Sequence, residues 1–292
     1  MINFDKKIER IDIESKEFPD KLRHIPNPPQ QLFCVGDIGL LQEKSAGVVG
    51  SRKYTMYGKS VATMVGRSFA MSGIPLVSGL AYGIDGFAHE GVLQVDGKGI
   101  GVLGSGLRMM SPAKNRKLMF DLLDAGGLVV SEYEPEFPAE AWSFPARNRI
   151  ISGLSEILIV VEANHNSGAL ITAQHANEQG RIVYAVPGNI NSQFSLGSNL
   201  LIRDGAIPLV VIDDAIREMG REVRLEEKLV LDLGEDEIKL VEELRKYNGV
   251  TADRLATALN MSVGKVNAIA TILEIKGTVQ TYSGKIHLAK HI

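Results

Sequence analysis

Short apolar runs alternate with amphipathic stretches from Lys44 to about Gly220. The runs predict strands at residues 46–50, 75–79, 99–104, 128–130, 157–162, 181–187 and 207–211. Between them, stretches such as YGKSVATMVGRSFAMSG and ALITAQHANEQG have helical spacing, and Gly180 ends the second as a C-cap. Continuous apolar strands separated by helices are typical of a parallel sheet covered on both faces. We therefore predict an α/β domain over residues 44–220.

The segment before this domain, residues 1–43, has a mixed pattern that contains HIPNPPQQLFCVGD. Pro26, Pro28 and Pro29 exclude a continuous helix and favour an extended chain. We predict an N-terminal extension that packs on the core.

The pattern changes again after the α/β domain. Residues 221–234 are rich in charge and predict a linker, and residues 235–292 read as three amphipathic helices with Thr251 and Ser262 as N-caps. The alternation around the sequence SGK predicts a hairpin after the third helix. Three helices followed by a hairpin indicate a small winged-helix domain. Its net charge is close to zero, which favours a protein-contact or weak DNA-accessory role over tight binding of duplex DNA.

Composition limits the possible functions. The chain has 292 residues, 45% of them hydrophobic, so it can form a packed core. Its net charge of -3 does not indicate a general affinity for polyanions. A polyanion would therefore need a local concentration of cations on a nearly neutral protein.

The expected compartment is the cytoplasm. No run of 18 apolar residues predicts a membrane span, and the charged first residues do not resemble a secretory signal. The single cysteine, Cys34, excludes an internal disulfide and a cysteine-based zinc site, and it fits a reducing environment.

Candidate binding residues lie in stretches that follow predicted strands, because ligands of parallel α/β sheets bind beyond the carboxyl ends of the strands. These stretches are residues 50–58, 78–85, 104–117, 144–149, 162–173 and 187–199. Most combine glycine with serine, asparagine or a cation. Glycine allows close approach of a ligand, and amides at helix N-termini bind anions. For any single loop of this kind a tight turn is the favoured explanation of the glycines, but the whole set predicts a surface for phosphates.

The nucleotide-binding fingerprints are absent from the sequence. There is no Walker motif, and GSGLRM at residues 104–109 has only two of the three Rossmann glycines. Eight cations lie in or beside the candidate loops: Arg52, Lys53, Arg108, Lys114, Arg116, Lys117, Arg147 and Arg149. This number exceeds the need of a dinucleotide and favours a continuous backbone of phosphates.

Signals for catalysis or metal binding are weaker. Asp85 and His89 are spaced i, i+4, but a lone acid and histidine are more often an N-terminal charge and a core histidine. His165 and His175 do not have zinc spacing, and no serine lies in a nucleophile elbow. We predict no catalytic residue, no metal and no cofactor.

Two aromatic residues, Trp142 and Phe144, flank the arginines of FPARNR. They fit packing, and they also fit stacking on nucleic-acid bases.

Five ordered motifs resemble one family. The motifs are GVVGSRKYTMYG, VSGLAYGIDGFAH, FPARNRIISGLSEILIVVEA, SGALITAQHANEQGRIVYAVPG and GSNLLIRDGA, and together they resemble the bacterial DNA-processing protein A family, DprA or Smf. The resemblance covers nearly the whole chain. It implies an extended Rossmann-like, doubly wound core that binds single-stranded DNA without sequence preference. It further implies a homodimer that protects incoming DNA and loads the RecA recombinase on it during natural transformation.

The resemblance also assigns site residues. Gly50, Ser51 and Arg52 match the G-S-R turn, RNR at 147–149 matches the R-N-R block, and residues 168–172 match the helix start. The predicted phosphate-binding set is Gly50, Ser51, Arg52, Lys53, Lys114, Arg116, Arg147, Asn148, Arg149, Ser167, Gly168 and Thr172.

Two other functions remain open. The fold implied is also similar to that of nucleotide phosphoribohydrolases of the LOG type, but His175 stands where their catalytic glutamate is expected. A transcription regulator, with the winged helix as reader and the core as sensor, is the third interpretation.

Overall fold

A mostly parallel sheet forms the centre of the α/β part of the chain. The computed structural model describes residues 7–223, 234–247, 249–275 and 278–288. Within these residues the sheet has nine strands, in the order β1-β2-β6-β5-β4-β3-β7-β8-β9. They are β1 Glu9–Asp12, β2 Gln31–Gly36, β3 Ala46–Val49, β4 Leu76–Ser78, β5 Gly99–Val102, β6 Leu128–Ser131, β7 Ile157–Val160, β8 Ile182–Ala185 and β9 Ile207–Pro208. Strands β3 to β9 run parallel to one another, which confirms the predicted doubly wound α/β fold.

Helices cover both faces of this sheet. They are α1 Asp20–Arg23, α2 Met56–Met71, α3 Ile84–Leu93, α4 Arg116–Asp124, α5 Ser143–Leu154, α6 Gly168–Glu178, α7 Leu196–Arg203 and α8 Ile212–Glu218. Consecutive residues of a strand point to opposite faces. Val48 accordingly packs in the core with Phe69 of α2, whereas Val49 packs in the core with Ile150 of α5. The continuous apolar runs therefore reflect burial on two sides.

The N-terminal extension adds two antiparallel strands to the sheet. Strand β2 pairs with β6, with Cys34 opposite Val130, and β1 pairs with β2. Cys34 is buried, and burial raises the pKa of its thiol to about 12, so it remains protonated. Residues before 44 thus complete the edge of the sheet.

The chain divides into two compact units at residue 224, and the second unit has its own core. It contains α9 Glu235–Lys246, α10 Ala252–Leu259, α11 Val263–Ile275, and the antiparallel strands β10 Val279–Tyr282 and β11 Lys285–Leu288. Ser283 and Gly284 both have positive φ, 50° and 74°, as a tight hairpin turn requires. The assignment of this unit as a winged helix stays a prediction. Residues 224–233 of the predicted linker lie outside the described residues.

Candidate nucleic-acid interface

Strand β3 lies where the strand order of the sheet reverses. The chain proceeds from β3 to β4, β5 and β6 on one side, and then returns through α5 to β7 on the other side. Strands β3 and β7 are neighbours, with Val49 opposite Val160. Connections that leave their carboxyl ends diverge to opposite faces and open a crevice, where ligands of doubly wound sheets bind. We use the name rim for the loops that follow the carboxyl ends of β3, β4, β5 and β7, which are residues 50–55, 79–83, 103–115 and 161–167.

The G-S-R turn is fixed at this crevice by backbone contacts. The amide of Ser51 donates to the carbonyl of Glu162 at 2.7 Å, which joins the ends of β3 and β7. Gly83 lies against the same turn with φ of 92°, and a Cβ there would lie 2.5 Å from the carbonyl oxygen of Ser51. Only glycine allows this approach of two rim loops.

Arg52 is the exposed cation of the G-S-R turn. Its guanidinium lies over the ring of Phe144, 5.1 Å from the ring centroid. Phe144 is itself held against Gly104, where an added Cβ would lie 3.1 Å from the ring. Over residues 7–223, no ion pair involves Arg52. The side chain is therefore positioned by an aromatic face while its charge faces solvent.

Arg147 lies on helix α5 rather than in a loop, which corrects the prediction for residues 144–149. It is 4% exposed, and its Nη1 donates to the carbonyl of Gly79 at 2.9 Å and to that of Val102. Burial lowers the pKa of Arg147 to about 10, while nearby Asp85 acts in the opposite direction. Asp85 in turn accepts from the amide of Gly79 at 3.1 Å. Arg147 therefore holds the ends of β4 and β5 in place beneath the rim.

Arg149 is committed to an internal ion pair. Its Nη1 and Nη2 donate to the two carboxylate oxygens of Glu132 at 2.7 and 2.6 Å. Its Nε donates to the carbonyl of Asn27 at 2.8 Å, and Nη1 also reaches the carbonyl of Ala146 at 2.8 Å. The side chain is 9% exposed, so its charge is neutralised away from solvent. We therefore remove Arg149 from the phosphate-binding set predicted from the sequence.

The N-terminus of α6 carries the other predicted binding residues. The hydroxyl of Ser167 accepts from the amide of Ala169 at 3.3 Å, and the side chain of Asn148 donates to the carbonyl of Gly168 at 3.2 Å. Gly168 is exposed, and no atom lies within 4 Å of an added Cβ. Thr172 is buried and donates to the carbonyl of Gly168 at 3.3 Å. Gly168 is thus open to a ligand, whereas Thr172 and Asn148 support the helix start.

The remaining predicted cations follow two rim loops. Lys53 and Lys114 are exposed, and so is Arg116 at the start of α4. Asn115 donates to the carbonyls of Leu80 and Ala81 at 3.0 and 2.9 Å, which joins the loop after β5 to the loop after β4. Within residues 7–223, none of the three cations is in an ion pair.

Two other cations singled out in the sequence are neutralised. Arg108 pairs with Glu136 at 2.5 Å, and Lys117 pairs with Asp121 at 2.7 Å. Of the eight cations counted in the sequence, Arg52, Lys53, Lys114 and Arg116 have no ion-pair partner within residues 7–223, and they lie in or beside the rim.

The two aromatic residues of the motif differ in their surroundings. Trp142 is 58% exposed and meets Tyr133 and Phe137 edge-on, with centroid distances of 5.9 and 6.0 Å. Phe144 lies directly under Arg52. Phe144 is therefore the better placed of the two for a ligand at the G-S-R turn.

Groups with possible catalytic chemistry are separated or buried. Asp85 and His89 are both buried, and Asp85 faces the amide of Gly79. Nδ1 of His175 lies 3.6 Å from Glu178 on the same helix. Among the described residues, no three potential metal ligands cluster. No helix in the described part of the chain has the length and apolarity that crossing a bilayer requires.

His89 makes the stability of the protein dependent on acid. Burial lowers its pKa from 6.5 to about 4. Between these pH values the unfolded chain binds a proton that the native state does not. We therefore expect the free energy of unfolding to fall as pH drops from 6.5 to 4, by up to about 3 kcal/mol from this residue. Urea denaturation at pH 7 and pH 4.5 measures the change.

A His89→Gln variant is the test of this assignment, since it removes the titrating group. It should lose less stability on acidification than the unaltered protein. The control variant His24→Gln, at an exposed position, should lose as much stability as the unaltered protein. Equal acid sensitivity of all three proteins would contradict the assignment.

The fold and the rim define a Rossmann-like protein with a glycine-lined, cationic crevice at its topological switch point. The family model described as DNA recombination-mediator protein A matches residues 9–220. The chain therefore belongs to this family, as the sequence motifs predicted.

Individual relatives agree with this assignment. The chain is 41% identical over 216 residues to the DNA processing protein DprA of Bacillus subtilis, which covers 74% of this chain and 72% of the relative. It is 44% identical over 197 residues to protein Smf of Escherichia coli, covering 68% of this chain and 53% of the relative.

Solved structures show the same fold. The X-ray structure of DprA from Streptococcus pneumoniae matches with a TM-score of 0.68 and 38% identity, covering 75% of this chain and 76% of the other. DNA processing protein A from Helicobacter pylori, described for its single-stranded DNA binding mode, matches with a TM-score of 0.65 and 31% identity, covering 74% and 96%.

Proposed function

We propose that the chain binds single-stranded DNA along the rim without reading its sequence. The observation that carries the proposal is Arg52, exposed and unpaired within residues 7–223, and held over Phe144 at the switch point. A phosphate at Arg52 has an unsatisfied cation beside it, and a base next to that phosphate reaches an aromatic ring. The H. pylori relative is described as binding single-stranded DNA, which supports the same ligand for this chain.

The proposed track differs from the one expected from the sequence. Arg147 supports the rim from below, Arg149 is neutralised by Glu132, and phosphates meet Arg52, Lys53, Lys114 and Arg116. The open N-terminus of α6 at Gly168 offers a further anion position. Because these contacts address the phosphate backbone, the affinity does not depend on base sequence.

A single strand suits this surface better than a duplex. A flexible strand brings each phosphate to its own contact, whereas a stiff duplex must bend to follow the crevice. We expect a duplex of matched length to bind more weakly.

A salt series tests the proposal. Four cations at about -0.7 per phosphate predict a slope of about -2.8 in log affinity against log salt. A fourfold rise in salt should therefore weaken the binding of a poly-dT oligonucleotide by about fiftyfold. Fluorescence anisotropy with labelled single- and double-stranded oligonucleotides measures both the slope and the preference.

Three results would count against the proposal: a slope near zero, equal affinity for the duplex, or a footprint on one duplex sequence. The last would favour the transcription-regulator interpretation. Release of free base from nucleoside monophosphates would instead favour the hydrolase interpretation.

The partners belong to the same proposal. We infer a cytoplasmic homodimer that protects incoming DNA and loads the RecA recombinase on it during natural transformation, with no cofactor and no catalysis. The support is membership of a family described as recombination mediators. The C-terminal unit then has a protein-contact or accessory DNA role, consistent with its balanced charge.

A further inference from the structure

Three aromatic rings form a cluster in and beside the rim, distinct from the contact between Arg52 and Phe144. The ring of Tyr54 meets Phe87 edge-on at 4.6 Å between centroids, and it lies 6.0 Å from the ring of Tyr82. Tyr54 follows β3, Tyr82 follows β4, and Phe87 is on α3. Three separate elements therefore converge on one aromatic cluster.

Tyr82 is the member that faces solvent. Tyr54 and Phe87 pack against the apolar core beneath them, whereas Tyr82 is 45% exposed. Tyr82 directly precedes Gly83, whose close contact with the G-S-R turn fixes the position of the loop. An exposed ring that is held by its loop and backed by a second ring is preorganised for stacking.

Cations lie on both sides of this cluster. Nζ of Lys114 lies 5.8 Å from the ring centroid of Tyr82, and Nζ of Lys59 lies 4.9 Å from that of Phe87. Gly83, the residue after Tyr82, lies close to Arg52, because a Cβ added at Gly83 would be 3.0 Å from the Cα of Arg52. The aromatic cluster is thus continuous with the proposed phosphate track.

The surface beside Lys114 has balanced charge. A groove of about 440 Å³ there is lined by Glu90 and Asp121 and also by Lys114 and Lys117, and Lys117 pairs with Asp121. The groove therefore adds no net positive charge for phosphates.

We propose that Tyr82, backed by Tyr54, is a second base-stacking site of this protein, separate from Phe144. Its ligand is an unpaired nucleobase, and Lys114 and Lys59 hold the flanking phosphates. This inference rests on the proposed function, because it places one nucleotide of the same strand. Stacking uses the face common to all bases, so the site adds affinity without sequence preference.

The test compares a poly-dT oligonucleotide with an abasic oligonucleotide of equal phosphate count. Tyr82→Ala should bind the dT oligonucleotide about tenfold more weakly, the size expected for one lost stack. Its affinity for the abasic oligonucleotide and its salt slope should stay unchanged, because no cation is removed. Tyr82→Phe should retain the affinity of the unaltered protein, since the ring face remains.

Phe120→Ala is the control variant, because it removes a ring that is 36% exposed on α4, outside the rim. It should leave both affinities unchanged, and thermal unfolding should show all variants folded. Binding of dT by Tyr82→Ala at full affinity would overturn the stacking site while leaving the proposed function intact. Failure of the unaltered protein to bind either oligonucleotide would overturn both.

Discussion

Replacing Arg52 with glutamate should lower the affinity of the protein for single-stranded DNA by about a hundredfold. On the proposed phosphate track, the change removes a charge-assisted phosphate contact and adds a repelling carboxylate at the G-S-R turn. Such contacts contribute about 1.5–3 kcal/mol, and about 2.7 kcal/mol corresponds to a hundredfold change in affinity. Anisotropy titration of a labelled oligonucleotide at one fixed salt concentration measures the effect.

Lys44→Glu is the control for charge. Lys44 is exposed just before β3 begins, whereas Arg52 follows the end of the same strand. The two residues therefore lie at opposite ends of β3. Both variants change the net charge equally. If DNA is held at the rim, Lys44→Glu should have only a small effect at moderate salt. Similar losses in the two variants would show that overall charge, and not the crevice, governs binding.

Replacing Glu132 with alanine should destabilise the fold by about 3 kcal/mol. The change leaves the guanidinium of Arg149 buried without its carboxylate, and breaking a buried pair in this way costs about 3–5 kcal/mol. The side chains of Arg149 and Glu132 are 9% and 15% exposed, so little solvent is available to compensate. Urea denaturation of the variant measures the loss. The exposed pair Arg10–Asp12 provides the control, because Asp12→Ala should change stability little.

A double replacement separates stability from DNA binding. Arg149→Met with Glu132→Met removes both charges together and should recover most of the stability. At a temperature where it is folded, this variant should bind single-stranded DNA about as well as the unaltered protein, because Arg149 is not part of the track. A large loss of affinity in the folded double variant would return Arg149 to the interface.

The seven strands expected from apolar runs all form, as β3 to β9. Their signal is strong from β3 to β8 because both faces of the sheet are covered there, so nearly every residue of these strands is buried. The two residues of β9, at the end of the sheet, are exposed. The edge strand β1 has a single buried residue, Ile11, and could not be recognised from hydrophobicity. Strand β2 lies directly after a proline-rich segment, which indicated extension but not pairing with β6.

Helix α5 was the main error in secondary structure. Residues 144–149 are grouped with the candidate loops in the sequence, but they lie within a helix, where Pro145 is tolerated in the first turn. The arginines then lie on a helix that crosses the sheet, where Arg147 reaches backbone carbonyls and Arg149 reaches Glu132. Their partners come from strands and loops far along the chain.

The aromatic cluster could not be predicted from the sequence, because its members also meet only after folding. Tyr54 belongs to a different motif from Tyr82 and Phe87, and its spacing from them along the chain is unrelated to their contact. Only the meeting of the loops after β3 and β4 places them side by side.

The sequence by itself determined the α/β class, the family, and the motifs that lie at the switch point. It did so because burial patterns and glycine-rich turns are local properties of the chain. Only the tertiary structure decided which guanidiniums are available to a ligand. An arginine is free or neutralised according to its neighbours in space, and the contacts of Arg147 and Arg149 with Gly79 and Glu132 exist only after folding.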